Sequence, residues 1–160
     1  MKIRPVEQTD RRRIAAILAA VRIFTSDEIE AAMAQVIEAI NTPRRGRYLV
    51  DVADSTVGLV GYVSYGPTPR YAGTWDLYWI AVDPEQRNRG IGSLLLEHVE
   101  KRIRELKGET LLIETSAAES YEPTRRFYQR NGYRPATRVM DFARLRADRI
   151  IYSRRIGGTA

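Results

Sequence analysis

Apolar positions along the chain change their spacing several times, and each change marks an element. Lys2 to Val6 is a short strand-like run. From there the spacing turns helical: Ile14, Ile17, Leu18 and Val21 share one face, with Thr9 or Asp10 placed to cap the helix. A second helix carries Ile29, Met33, Val36, Ile37 and Ile40, with Ser26 as its expected cap, Asp27 and Glu28 in its first turn, and Asn41-Thr42-Pro43 as its stop. Tyr48 to Ala53 and Val57 to Tyr65 are rich in β-forming residues and flank Asp54-Ser55-Thr56, the pattern of an antiparallel hairpin.

Trp75 to Val82 is the densest strand signal. Period two puts Asp76, Tyr78, Ile80 and Val82 on one face and Trp75, Leu77, Trp79 and Ala81 on the other. Both faces are largely apolar, which predicts a central, buried strand. Asp83-Pro84 ends it, a basic segment with two glycines follows, and Ile91, Leu94, Leu95, Val99, Ile103 and Leu106 then form a helical stripe closed by Lys107-Gly108. His98 borders that stripe and reads as a boundary residue outside any site. Thr110 to Thr115 is a strand parallel to the Trp75 strand, because a whole helix crosses between them. Pro123 opens a short helix through Arg130, and strands over Thr137 to Phe142 and Asp148 to Arg154 complete the chain. The predicted class is α+β: a mixed, mostly antiparallel sheet of six to seven strands flanked by about four helices, forming one domain over residues 1–155 with a frayed tail over 156–160.

Composition narrows the chemistry. The absence of cysteine excludes disulfides, thiolate metal sites and a cysteine nucleophile. One histidine and no clustered carboxylates argue against a metal site. No apolar run approaches a membrane span and the N-terminus lacks a signal-peptide pattern, so a soluble, cytoplasmic protein is expected, with no membrane partner. The net charge of +6 suits an anionic ligand, but the arginines are scattered along the chain, which makes nucleic acid the weaker partner.

A strand, a tight loop and a helix start in sequence make an anion site. The first N–H groups of the helix have no partner inside it, and the helix dipole adds partial positive charge there. Gly90 and Gly92 let the backbone come close to a phosphate, and Arg87 and Arg89 add full charges. A P-loop would need Gly-Lys-Ser/Thr, which is absent, and a dinucleotide fingerprint would need a glycine where Leu95 stands.

Arginine, two residues, Gly90, one residue, Gly92, after a strand ending Ile80-Ala81-Val82-Asp83-Pro84, is followed some forty residues later by Arg126-Phe127-Tyr128-Gln129-Arg130-Asn131-Gly132-Tyr133. This pairing resembles the GNAT superfamily of acetyl-CoA-dependent N-acetyltransferases. The resemblance implies that acetyl-CoA lies where the Trp75 and Thr110 strands splay. Its pyrophosphate would sit on Arg87, Asn88, Arg89, Gly90, Ile91, Gly92 and Ser93, and its pantetheine would pair with the backbone of Ile80, Ala81 and Val82. Tyr128 matches the family's proton donor to the leaving thiolate. Asp76 is the candidate base, with Glu114 second and a water chain as the alternative. Tyr121 stands where the family often has asparagine, and Ser116 is a substitute polar contact.

In that fold the acceptor site is walled by the first helix pair and the loops, which assigns substrate contacts to Arg22, Phe24, Tyr65 and Glu114; Phe24 also suits a hydrophobic staple. The function implied is acetyl transfer to a primary amine of a small molecule or amino acid. Alternatives are a protein N-terminus or lysine, an aminoacyl-tRNA, or a non-catalytic acyl-CoA-binding module. The two C-terminal strands offer edges for a homodimer.

Overall fold

The computed structural model describes residues 1–43, 46–69, 71–140 and 147–158. The strands are β1 (Lys2–Pro5), β2 (Leu49–Ser55), β3 (Gly58–Pro67), β4 (Thr74–Val82), β5 (Thr110–Ser116), β6 (Arg134–Val139) and β7 (Arg149–Arg155). The helices are α1 (Arg11–Val21), α2 (Ser26–Asn41), α3 (Ile91–Glu105) and α4 (Glu122–Arg130). They build a seven-stranded sheet in the order β1-β2-β3-β4-β5-β7-β6, in which β4–β5 is the parallel pair and the other neighbours are antiparallel. The mixed α+β architecture predicted from the sequence is therefore present. Phe142, the expected end of the sixth strand, lies outside the described residues.

Each face of the sheet carries its own core. Ile14, Ile17 and Leu18 of α1 and Ala32 and Val36 of α2 pack with Val50, Val52, Leu59 and Tyr62. Leu95, Leu96, Val99 and Ile103 of α3 pack with Val60, Val63, Leu77, Leu111 and Ile113 on the other side, where Tyr128 and Tyr133 join them. The helical stripes read from the sequence are the surfaces that meet the sheet. Among the described residues no helix is long and apolar enough to cross a membrane.

Three local expectations are corrected. The cap of α2 is Thr25, one residue before Ser26: its hydroxyl accepts from Glu28 N–H at 3.1 Å and the Glu28 carboxylate accepts from Thr25 N–H at 3.0 Å, a reciprocal capping box. The start of the C-terminal tail is docked, since Ile156 is buried among the α3-side core residues and its N–H donates to Glu109 O at 2.8 Å. Period two fails in β4. Ser64 pairs Trp79 but Tyr65 pairs Leu77, so Tyr78 is an extra residue, a β-bulge. Trp75 and Leu77 pack on the α3 side, whereas Trp79 and Ala81 pack on the α1–α2 side.

Candidate active site

The bulge coincides with a fork. β4 and β5 are paired over Thr74–Leu77 and Thr110–Ile113, and no further. Beyond that point β4 continues along β3 to Val82, while β5 continues along β7 to Ser116, so the strands diverge from Tyr78 and Glu114 onward. Asp83 N–H donates to Val60 O at 2.8 Å. With the register Gly61↔Val82, antiparallel alternation then turns the main-chain groups of Ile80 and Val82 away from β3 and into the fork. An open cavity of about 1020 Å³ runs through this gap.

At one end of the cavity the chain turns into α3. Asp83 caps the 3-10 turn Pro84–Gln86 by accepting from Glu85 N–H at 3.0 Å, and Arg13 of α1 holds the same carboxylate in a short ion pair while donating to Leu59 O at 3.0 Å. Asn88 and Gly90 both take left-handed backbone angles, φ 62° and 75°. Among the described residues no side chain caps α3. The N–H groups of its first turn are thus left for a ligand, and Arg87, Asn88, Gly90, Ile91, Gly92 and Ser93 line the cavity while Arg89 does not. The two glycines serve different needs. Gly90 is required by its φ, whereas a Cβ on Gly92 would stand 3.0 Å from the Phe127 ring, so Gly92 lets α3 seat against α4.

The other end holds titratable side chains. Tyr128 is 5% exposed, lines the cavity and has no hydrogen-bond partner among the described residues. Burial, and then the neighbouring Tyr121, push its phenol above the ordinary tyrosine range, so it stays protonated at neutral pH. Asp76 lines the same space and accepts from Thr68 Oγ1 at 2.8 Å. Its carboxyl is shifted up, first by desolvation and then by Glu114, with the Thr68 hydrogen bond acting the other way. Glu114 faces Arg149 at 3.3 Å. Arg22, which ends α1 with φ 62°, and Phe24, edge-on to Trp79 at 5.4 Å, form the opposite wall with Glu28 and Gln35.

Sequence reasoning assigned Tyr65 and Ser116 to the site, and the structure puts both elsewhere. Tyr65 points to the α3 side, buried, and donates to Asp51 Oδ2 at 2.7 Å; His98 meets the same oxygen at 2.9 Å. Strand alternation along β3 dictates this, whatever the proximity of Tyr65 to the loop. Ser116 accepts from Ala118 N–H at 3.0 Å and is not among the lining residues. Arg125 donates to Ser116 O and Ala118 O. Ile80, Ala81, Val82, Tyr121 and Glu114 do line the cavity. Glu28, Gln35, Arg149 and the Arg13 clamp were missed. Only Glu28 left a signal, the Thr25-x-x-Glu28 capping pattern, and that marks a helix start and not a site.

Residues 44–135 match the profile of the acetyltransferase (GNAT) domain, more than half of the chain. A putative GNAT-family acetyltransferase from Desulfovibrio desulfuricans superposes with a TM-score of 0.91 at 35% identity, over 97% of this chain and 98% of that one. The chain belongs to the GNAT acetyltransferase family. It is accordingly an acetyl-transferring enzyme, and the forked sheet is its GNAT cleft. More distant GNAT structures share the fold. A ribosomal-protein-alanine N-acetyltransferase from Brucella melitensis has a TM-score of 0.74 at 22% identity, covering 97% of this chain and 99% of that one. An aminoglycoside 6'-N-acetyltransferase complexed with coenzyme A has 0.75 at 18%, covering 100% and 99%. No curated protein sequence matches the chain.

Proposed function

We propose that the enzyme transfers the acetyl group of acetyl-CoA to a primary amine of a small molecule by direct attack. The observation that carries this reading is the convergence, in one cavity, of an uncapped left-handed loop at a helix start, an unpaired strand edge and an unpartnered buried phenol. The residues fit the donor. Main-chain N–H groups over Arg87 to Ser93 suit the pyrophosphate, and the main chain of Ile80 and Val82 suits the amides of pantetheine.

Acetyl-CoA supplies an activated thioester, and the chain's own groups manage the protons. Asp76 holds the acceptor ammonium and takes up a proton as the amine is released for attack; its raised pKa makes it a stronger base than an ordinary aspartate. Tyr128, which stays protonated, donates its O–H toward the sulfur as negative charge develops there. A thiol is more acidic than this phenol, so the proton that ends on sulfur derives overall from the amine, and Tyr128 ends as it began.

Thiol release from acetyl-CoA in the presence of a panel of amines tests the proposal. Wild type is expected to turn over with at least some amines and Tyr128→Phe to lose most of that rate while still binding CoA. Tight CoA binding with no turnover on any acceptor would instead favour an acyl-CoA-binding module.

A further inference from the structure

Charges at the acceptor end of the cleft are not balanced in depth. Glu28, Asp76 and Glu114 line it together with Arg22 and Arg149. Glu114 and Arg149 are paired at 3.3 Å near the surface, and Arg22 is exposed where α1 ends. Of the three that are partly buried, Arg149 is already paired with Glu114, whereas Glu28 and Asp76 are both negative and neither has a cationic partner among the described residues. One carboxylate oxygen of Glu28 accepts from Thr25 N–H, and among the described residues the only side-chain donor on Asp76 is Thr68. Partly buried charges are screened less than exposed ones, so a ligand gains more by answering these two than by answering Arg22.

Glu28 also belongs to the reacting end. Burial first, and then Glu28, push the Tyr121 phenol up while Arg149 pulls it down, so both side chains lie near it, and Tyr121 in turn acts on Tyr128. Tyr128 itself is an independent sign of a ligand here: the residue is 5% exposed, its hydroxyl has no hydrogen-bond partner among the described residues, and it lines the same space. The same cavity is lined by Phe24, Trp79, Tyr78 and Tyr121, aromatic side chains available to cover methylene groups and to face a cation.

Resting on the acetyl-transfer reading above, we infer that the acceptor is an amine with a second basic nitrogen: the reacting ammonium is held at Asp76 and the second cation at Glu28, with an aliphatic spacer between the aromatic walls. Glu28 is thus a specificity-determining residue of the site. An acceptor carrying a carboxylate in place of the second amine would set its charge against Glu28 and is disfavoured.

The test uses straight-chain α,ω-diamines, each compared with the monoamine and the ω-amino acid of the same length, by thiol release with acetyl-CoA. In wild type the best diamine should exceed its monoamine in kcat/KM by at least about tenfold, with the amino acid lowest. Glu28→Gln removes the charge and keeps the capping box, since glutamine also serves at that position, so α2 still starts at Ser26. The diamine-to-monoamine ratio should then fall toward one, mostly through KM, and high salt should shrink the wild-type ratio in the same direction. Equal use of monoamines and diamines, a preference for the amino acid, or a ratio that Glu28→Gln leaves unchanged would overturn the inference while leaving acetyl transfer standing. Failure of every amine would remove both.

Discussion

The two halves of β4 are one strand with opposite fates. Thr74–Leu77 has β3 on one side and β5 on the other, and its main chain is satisfied as in any sheet interior. Tyr78–Val82 has only β3, so Ile80 and Val82 turn hydrogen-bonding groups into open space. Unpaired main-chain groups inside a protein are uncommon because they forfeit their bonds to water, and on the proposed reading acetyl-CoA pairs with them here. The lesson is that the site is made by withdrawing a strand. The bulge at Tyr78 and the pairing of β5 with β7 are the means.

Carboxylates draw the same contrast. Asp10, at the corner of β1 and α1, takes two hydrogen bonds from the Arg4 guanidinium at 2.9 and 3.0 Å and one from Glu7 N–H at 2.8 Å. Burial alone would raise its pKa, but these bonds and the Arg4 charge outweigh it and hold the carboxyl below its ordinary value. Asp76 has no cationic partner among the described residues and is raised. The signs for stability are therefore opposite. Asp10 stabilises above its unfolded pKa and loses that contribution as pH falls through its folded value. Asp76 favours the fold at pH below its unfolded pKa and less so as pH rises through the folded one.

The largest effect expected from breaking the contrast is on catalysis: Tyr128→Phe should lower kcat about a thousandfold with little change in Tm, measured by thiol release and by melting. Next, Asp10→Ala should cost about 3 kcal/mol in denaturant unfolding and flatten the acid limb of the stability profile, because it breaks a mostly buried ion pair. Asp76→Asn should lower kcat/KM about a hundredfold and yet raise Tm slightly at neutral pH; a lower Tm would mean that its charge serves the fold. The smallest effects separate two tyrosines on β3. Tyr62 has a buried hydroxyl with no partner among the described residues, so Tyr62→Phe should stabilise by about 1 kcal/mol, whereas Tyr65→Phe takes one hydrogen bond from Asp51, leaving it His98, and should destabilise by about as much.

Much of this was legible in the sequence. Helical stripes on α1, α2 and α3 need only local spacing, and the anion loop follows from Asp83-Pro84, the two glycines and a helix start. What escaped depends on distant partners. The bulge at Tyr78 exists because of how β3 pairs with β4, and no period-two count along Trp75 to Val82 contains it. Arg13 clamps Asp83 across 70 residues of chain. Tyr65 was misassigned because nearness to a loop was weighed above the side of the sheet it faces. Gly92 was read for phosphate approach, although its missing Cβ makes room for Phe127.

Amide hydrogen exchange with and without acetyl-CoA tests the central claim most directly. Without ligand, Ala81 and Trp79 should already be protected by β3, and Ile80 and Val82 should exchange fast. Adding acetyl-CoA should slow Ile80, Val82 and the amides of Asn88 to Ser93, and leave Thr74–Leu77 as they were. Binding that protects other segments, or that leaves Ile80 and Val82 exchanging as before, would contradict the account of the open half of β4.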